Sequence, residues 1–193
     1  RNLIDSPEFK EIFGDVKLRE DSKAKGRWET NHGGEYFAAG VGGSITGRGA
    51  DLLIIDDPHT EQDSMSDSAM HRTFEWYSSG PRQRLQPGGS IVVVMTRWAT
   101  DDLTGRLIKA QSEPKADTWR VVNFPAILDN GNPVWPEYWP LEELEKVKAS
   151  VTTKNWNAQY MQDPTSEEGA IIKRDWWRDW KEERVPVLRH VIQ

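Results

Sequence analysis

Two runs in this sequence are apolar at every position: Leu52-Leu53-Ile54-Ile55 and Ile91-Val92-Val93-Val94-Met95. A strand with one wetted face alternates apolar and polar residues. A run without alternation therefore predicts a strand covered on both faces, the habit of parallel sheets flanked by helices. Each run stops abruptly on polar residues, the first at Asp56-Asp57-Pro58 and the second at Thr96-Arg97. Proline cannot continue a sheet ladder. Between the runs, Ser66 is placed to cap a helix reaching about Ser79, with Met70, Phe74 and Tyr77 at helical spacing and Gly80-Pro81 ending it. Strand, helix and strand in this order predict an α/β fold with a mainly parallel sheet.

The remaining segments fit around that unit. Ser6-Pro7 opens a short helix through about Phe13. The charged stretch Asp15 to Lys25 reads as a strand edge and loop, Gly33-Gly34 as a turn and Glu35 to Val41 as a strand. Gly42 to Gly49 is a glycine-rich loop, and Pro87-Gly88-Gly89 is a turn. After the second apolar run, Thr100 is the expected N-cap of a helix. Asp101 and Asp102 then fall in its first turn, where the helix dipole favours negative charge, and Leu103, Leu107 and Ala110 make its apolar stripe. Trp119 to Phe124 reads as a third strand. Two helices are expected at about Leu141–Ala149 and Thr153–Gln162, closed by Asp163-Pro164. Composition changes after about Ala126 towards proline, tryptophan and charged helices. Residues 1–126 are therefore expected as one domain and 127–188 as a mostly helical segment, with 189–193 opening a new strand.

Composition narrows the function classes. A net charge of −6 means that any contact with nucleic acid must come from a local basic patch. Cysteine is absent, which excludes disulfides and thiolate metal sites and fits a reducing cytosol. No apolar run approaches the roughly 20 residues that span a bilayer, and no signal-peptide pattern opens the chain, so a soluble protein without membrane partners is expected. Both ends read as cut from something longer. The ten tryptophans are expected to serve packing; a sugar platform or base-stacking surface would need a supporting pattern, and none surrounds them.

In open α/β sheets, ligands bind at the carboxyl ends of the strands. An apolar strand ending in Asp56-Asp57 is the Walker B pattern of P-loop ATPases. ATP hydrolysis needs Mg²⁺ bridging phosphate oxygens, and one carboxylate helps to hold it. It also needs a second carboxylate to orient or deprotonate the attacking water. Asp56 is assigned to the metal and Asp57 to the water, although the usual second residue is Glu, one methylene longer. The plainer alternative is that Asp56-Asp57-Pro58 ends a strand and starts a turn. Thr96 can sense a γ-phosphate by hydrogen bonding. Arg97 either neutralises transition-state charge or pairs with Asp101 or Asp102. Arg48, in the glycine-rich loop, could meet nucleotide, DNA or a neighbouring subunit, or simply belong to a turn. That loop is not a Walker A loop, because no Gly-Lys-Ser or Gly-Lys-Thr occurs. The histidines His32, His59, His71 and His190 lack metal-ligand spacing.

Taken in order, several blocks resemble the large subunits of tailed-phage DNA-packaging terminases. They are Arg1 to Pro7, Gly26 to Thr30, Gly40 to Asp51, Leu52 to His59, Val92 to Trp98, Asp101 to Leu107 and Trp156 to Pro164. The resemblance covers nearly the whole chain, and the ordered set is more specific than any block. It implies a partial RecA-like P-loop NTPase domain of the ASCE type in residues 1–126, a linker in 127–188 and the start of an RNase H-like nuclease domain at 189–193. The Walker A loop would lie upstream of Arg1. It further implies ATP and Mg²⁺ as cofactors, Asp56 as the metal residue, Asp57 as the catalytic carboxylate, and Thr96 with Arg97 in the motif coupling hydrolysis to movement. Implied partners are double-stranded viral DNA, a portal protein, a small terminase subunit and further copies in a ring on the procapsid. The implied place is the cytoplasm of an infected bacterium, transiently on the procapsid and not in the mature virion. The fragment alone is expected to be inactive. Rival readings are a helicase-like ATPase, a metal-dependent nuclease using Asp56, Asp57, Asp101 and Asp102, and a tryptophan-rich binding module. The last predicts an antiparallel sandwich, against which the two apolar runs argue.

Overall fold

The computed structural model of the chain describes residues 2–165, which fall into two compact units, one up to Met95 and one from Thr96. Trp176, Trp177, Trp180 and the strand expected at 189–193 lie outside the described residues.

The first unit opens with helix α1, Pro7–Ile12, where the Ser6 hydroxyl caps the Phe9 N–H at 3.2 Å. Strands β1, Leu18–Ala24, β2, Arg27–Thr30, and β3, Glu35–Phe37, follow as an antiparallel meander. The expected strand at Glu35–Val41 is therefore cut to three residues, and a charged stretch read as a strand edge and loop becomes a full hairpin. Its sequence shows little apolar alternation because its cross-strand contacts are of another kind. Arg19 pairs with Glu29 across β1 and β2 at 2.6 Å, and Arg27 pairs with Glu35 across β2 and β3 at 3.2 Å. Trp28 stacks on Tyr36, its register partner, with ring centroids 4.8 Å apart. Such an aromatic pair contributes about 0.5–1.5 kcal/mol beyond its burial, whereas the exposed ion pairs mainly select the register.

Strands β4, Ala50–Asp56, and β5, Leu85–Val94, form a parallel pair in which Leu53 to Asp56 face Ile91 to Val94 in register. The parallel pairing expected from the two apolar runs is present, so the fold is mixed α/β. It is not mainly parallel among the described residues, because the meander is antiparallel. The turn expected at Pro87-Gly88-Gly89 is an irregularity inside β5: the register slips between Ala50 and Leu52. Gly88 takes a φ of 81°, and a Cβ on Gly89 would stand 3.0 Å from the Asp51 carbonyl oxygen.

Burial corrects a second expectation. Ile55 is 4% exposed, but Leu52 and Ile54 are 57% and 59% exposed, and Val92 and Val94 are also open. The pair is covered on one face only. Helix α2, Asp67–Ser79, is capped by Ser66 as expected and buries Ala69, Met70, Thr73 and Tyr77 along one stripe.

The second unit holds α3, Leu103–Ala110, α4, Leu141–Ser150, and α5, a single turn at Thr153–Asn155 that passes into a π-helical turn at Trp156–Tyr160. Leu103, Leu107, Leu144 and Trp156 are its buried apolar residues, with Ala158. Trp156 stacks on Tyr160 at 4.9 Å, as packing predicts. Trp135 and Trp139 do not follow that prediction: they are 56% and 41% exposed and flank Tyr138. No strand forms at 119–124, where Val121, Val122 and Phe124 are exposed. A β-propensity run becomes a strand only when a ladder partner exists, and among the described residues none pairs with it. No described helix is long and apolar enough to cross a membrane.

Candidate functional site

Asp56 is the last residue of β4 and lies opposite Val94 near the end of β5. By strand alternation it shares the open face with Leu52 and Ile54. The Asp57 N–H donates to the Val94 carbonyl at 2.9 Å, which pins the chain one residue beyond the strand. Asp57 then takes φ 41°, in the left-handed region. A non-glycine residue held there carries backbone strain, and such strain concentrates at functional sites. The left-handed turn also ends the strand alternation, so the Asp57 side chain is not committed to the covered face of Ile55. Both carboxylates are exposed, while Pro58 and His59 behind them are buried.

The loop after them is locked locally. The Asp63 carboxylate accepts from the Thr60 N–H at 2.7 Å and from the Thr60 hydroxyl at 2.8 Å. These two bonds, first the backbone and then the hydroxyl, hold the Asp63 carboxyl below the usual aspartate range, with a smaller contribution from His59. The sign follows from linkage: a carboxyl depressed in the folded state adds stability above its unfolded pKa of about 3.9, lost as pH falls through the folded value. The Asp63 lock should therefore persist at pH 5 and open only below about pH 4. Carboxyl NMR titration checks this: Thr60→Val should raise the Asp63 midpoint, and an unmoved midpoint would exclude the hydroxyl as a cause.

Arg48 is engaged elsewhere in the first unit. Its guanidinium pairs with Glu35 and lies 4.3 Å over the Phe37 ring, so it fastens the glycine-rich loop to β3.

In the second unit, the pairing alternative for Arg97 is the one that forms. Its Nε donates to both oxygens of Asp102, at 3.1 and 2.9 Å, and its Nη2 donates to the Ala99 carbonyl at 3.2 Å. Asp102 is fully buried and also accepts from the N–H groups of Trp98, Ala99 and Gly105. Asp102, not Thr100, is thus the N-cap of α3. Both residue types can cap; here the Asp102 carboxylate caps and also holds the Arg97 cation. Gly105 is required by the same turn, since a Cβ there would fall 1.9 Å from the Thr100 carbonyl oxygen. Thr96, just ahead of this network, is half-buried. The backbone N–H of Arg97 donates to the Oε1 of Gln162 at 3.2 Å, a contact that no local pattern announced.

Among the described residues, no group of three or more His, Cys, Asp or Glu side chains converges. A Walker B metal needs no such cluster, because phosphate oxygens and water complete the shell around a single carboxylate. The open carboxylate of Asp56 at a parallel strand end fits that role. No protein-family model matches the chain, and no curated protein matches it.

Proposed function

We propose that this chain is the second half of the ATPase domain and the linker of a DNA-packaging terminase large subunit, a motor that moves viral DNA into a procapsid. The observation that carries the reading is the parallel strand β4 ending in two adjacent exposed acids, the second in a left-handed backbone. The sequence of β4 and β5 supports it: each holds a run apolar at every position, which suits a RecA-like sheet flanked by helices on both faces. The order of the sequence blocks, from Leu52 to His59 and then from Val92 to Trp98, supports the terminase assignment over other P-loop motors.

In this reading Asp56 holds Mg²⁺ and Asp57 orients the attacking water. Thr96 senses the γ-phosphate end of the nucleotide, and Arg97 sits in the coupling segment. When bound, Mg²⁺ supplies charge neutralisation on the phosphate oxygens. The site would be completed by a Walker A loop upstream of Arg1. Cleavage of the DNA would fall to a nuclease domain beginning near residue 189. Viral DNA, the portal protein, the small subunit and further copies of the chain would be partners, in the cytoplasm of an infected bacterium.

The direct test is Mg²⁺-dependent ATP hydrolysis by the purified full-length protein, with and without double-stranded DNA. Turnover stimulated about tenfold by DNA is expected, corresponding to about 1.4 kcal/mol of barrier. Absence of hydrolysis under both conditions would overturn the proposal.

A further inference from the structure

Gln162 is held in an unusual backbone and uses both ends of its side chain. Its φ of 56° lies in the left-handed region. It follows the π-helical turn Trp156–Tyr160, a type of local distortion that gathers at functional positions. Glycine would adopt that backbone without strain. Glutamine brings what glycine lacks, an amide of fixed polarity. Its Nε2 donates to the Gln159 carbonyl and so orients the group. Its Oε1 accepts the backbone N–H of Arg97, 65 residues earlier in the chain. The Arg97 side chain is in turn gripped by buried Asp102. The segment around Gln162 is itself anchored, with the Tyr160 carbonyl accepting from the Ala126 N–H at 2.7 Å and the Asn157 carbonyl accepting from the Asp163 N–H at 2.8 Å. Displacement of the Arg97 backbone therefore loads the Gln162 side chain, whose other end is held by the Gln159 carbonyl.

We infer that Gln162 is a positioning residue that passes movement of the Thr96-Arg97 segment into the linker. The inference rests on the motor reading above. It makes the Arg97 N–H, not only its guanidinium, part of the coupling, with the π-helical turn as the element that yields.

The test uses the full-length protein and the variants Gln162→Met, which keeps shape without the amide, and Gln162→Glu, which keeps an acceptor for Arg97. Gln162→Gly, free of strain at this φ, replaces the Met variant if that one misfolds. In Gln162→Met, amide hydrogen exchange over Thr96–Trp98 should rise about tenfold. ATP turnover should stay within about threefold of wild type while the length of DNA moved per ATP falls about fivefold or more. Gln162→Glu keeps the acceptor for Arg97 but loses the donor to the Gln159 carbonyl, so it should restore part of both. Unchanged exchange with unchanged DNA moved per ATP would overturn the inference. So would equal losses in the Met and Glu variants, which would mark a purely structural role. Asp57→Asn serves as the control. If it retains turnover, the motor reading itself has failed. If it abolishes turnover while Gln162→Met still moves DNA normally, only the role of Gln162 has failed.

Discussion

Replacing Asp57 by asparagine in the full-length protein is expected to lower DNA-stimulated ATP hydrolysis about a hundredfold or more, the range lost with a general base, while leaving the fold intact. Asparagine is the informative substitution because of the backbone. Asp57 sits at φ 41°, where Asn is tolerated as readily as Asp and alanine is strained. An alanine variant would combine two effects, a lost carboxylate and a stressed turn next to buried Pro58 and His59. Asparagine removes only the charge and the ability to take a proton. Asp57→Glu adds the complementary test: it supplies the residue usual at this position in P-loop motors, one methylene longer. It should keep turnover within about tenfold of wild type, because reach is altered but basicity is retained. Steady-state turnover beside a thermal melt decides the matter. Wild-type rates in the asparagine variant would reduce Asp56-Asp57-Pro58 to a strand end.

How much of this was legible in the sequence depended on whether the deciding interaction was local. Ser66 was readable as a cap because a cap is settled within three residues of itself, and the start of α1 was readable from Pro7 in its first turn. The parallel pairing of β4 with β5 was readable because both strands lack alternation. The hairpin of β1 and β2 was not, since Arg19, Glu29, Arg27 and Glu35 hold it through cross-strand charge and leave no apolar period. The run at 119–124 failed in the opposite way: its residues favour a strand, yet a strand needs a neighbour. The acidic pair at Asp56-Asp57 was visible, but its left-handed second member was not, because aspartate more often adopts an ordinary backbone. Gln162 gave no local signal at all. Its partner lies 65 residues away, and Gln-Asp-Pro reads simply as a helix end. The N-cap of α3 is Asp102 rather than Thr100, five residues along the chain from the partner that its carboxylate also meets, Arg97.

That same partner sets the largest expected loss of stability. Asp102 is fully buried, with Arg97 only 17% exposed beside it. Removing one member of a buried ion pair leaves the other uncompensated and costs about 3–5 kcal/mol. Asp102→Ala also strips the α3 cap and leaves the N–H groups of Trp98, Ala99 and Gly105 without their acceptor. At about 2–4 °C per kcal/mol for a chain of this size, the melting temperature should fall by roughly 6–20 °C. The two halves of the pair should not be equivalent. In Arg97→Met the carboxylate keeps its three backbone donors, so the loss should be smaller than in Asp102→Ala. Thermal melts of this chain and its variants give the order directly. A shift under about 2 °C for Asp102→Ala, less than one kcal/mol on this scale, would show that the pair does not hold this turn. A larger loss in Arg97→Met would show that the guanidinium, rather than the amide cage, holds the turn around Asp102. If the predicted order holds, the backbone of residues 98–105 is built around the carboxylate. Arg97 is then an addition to that cage whose distinct task is to fix the segment that Gln162 contacts.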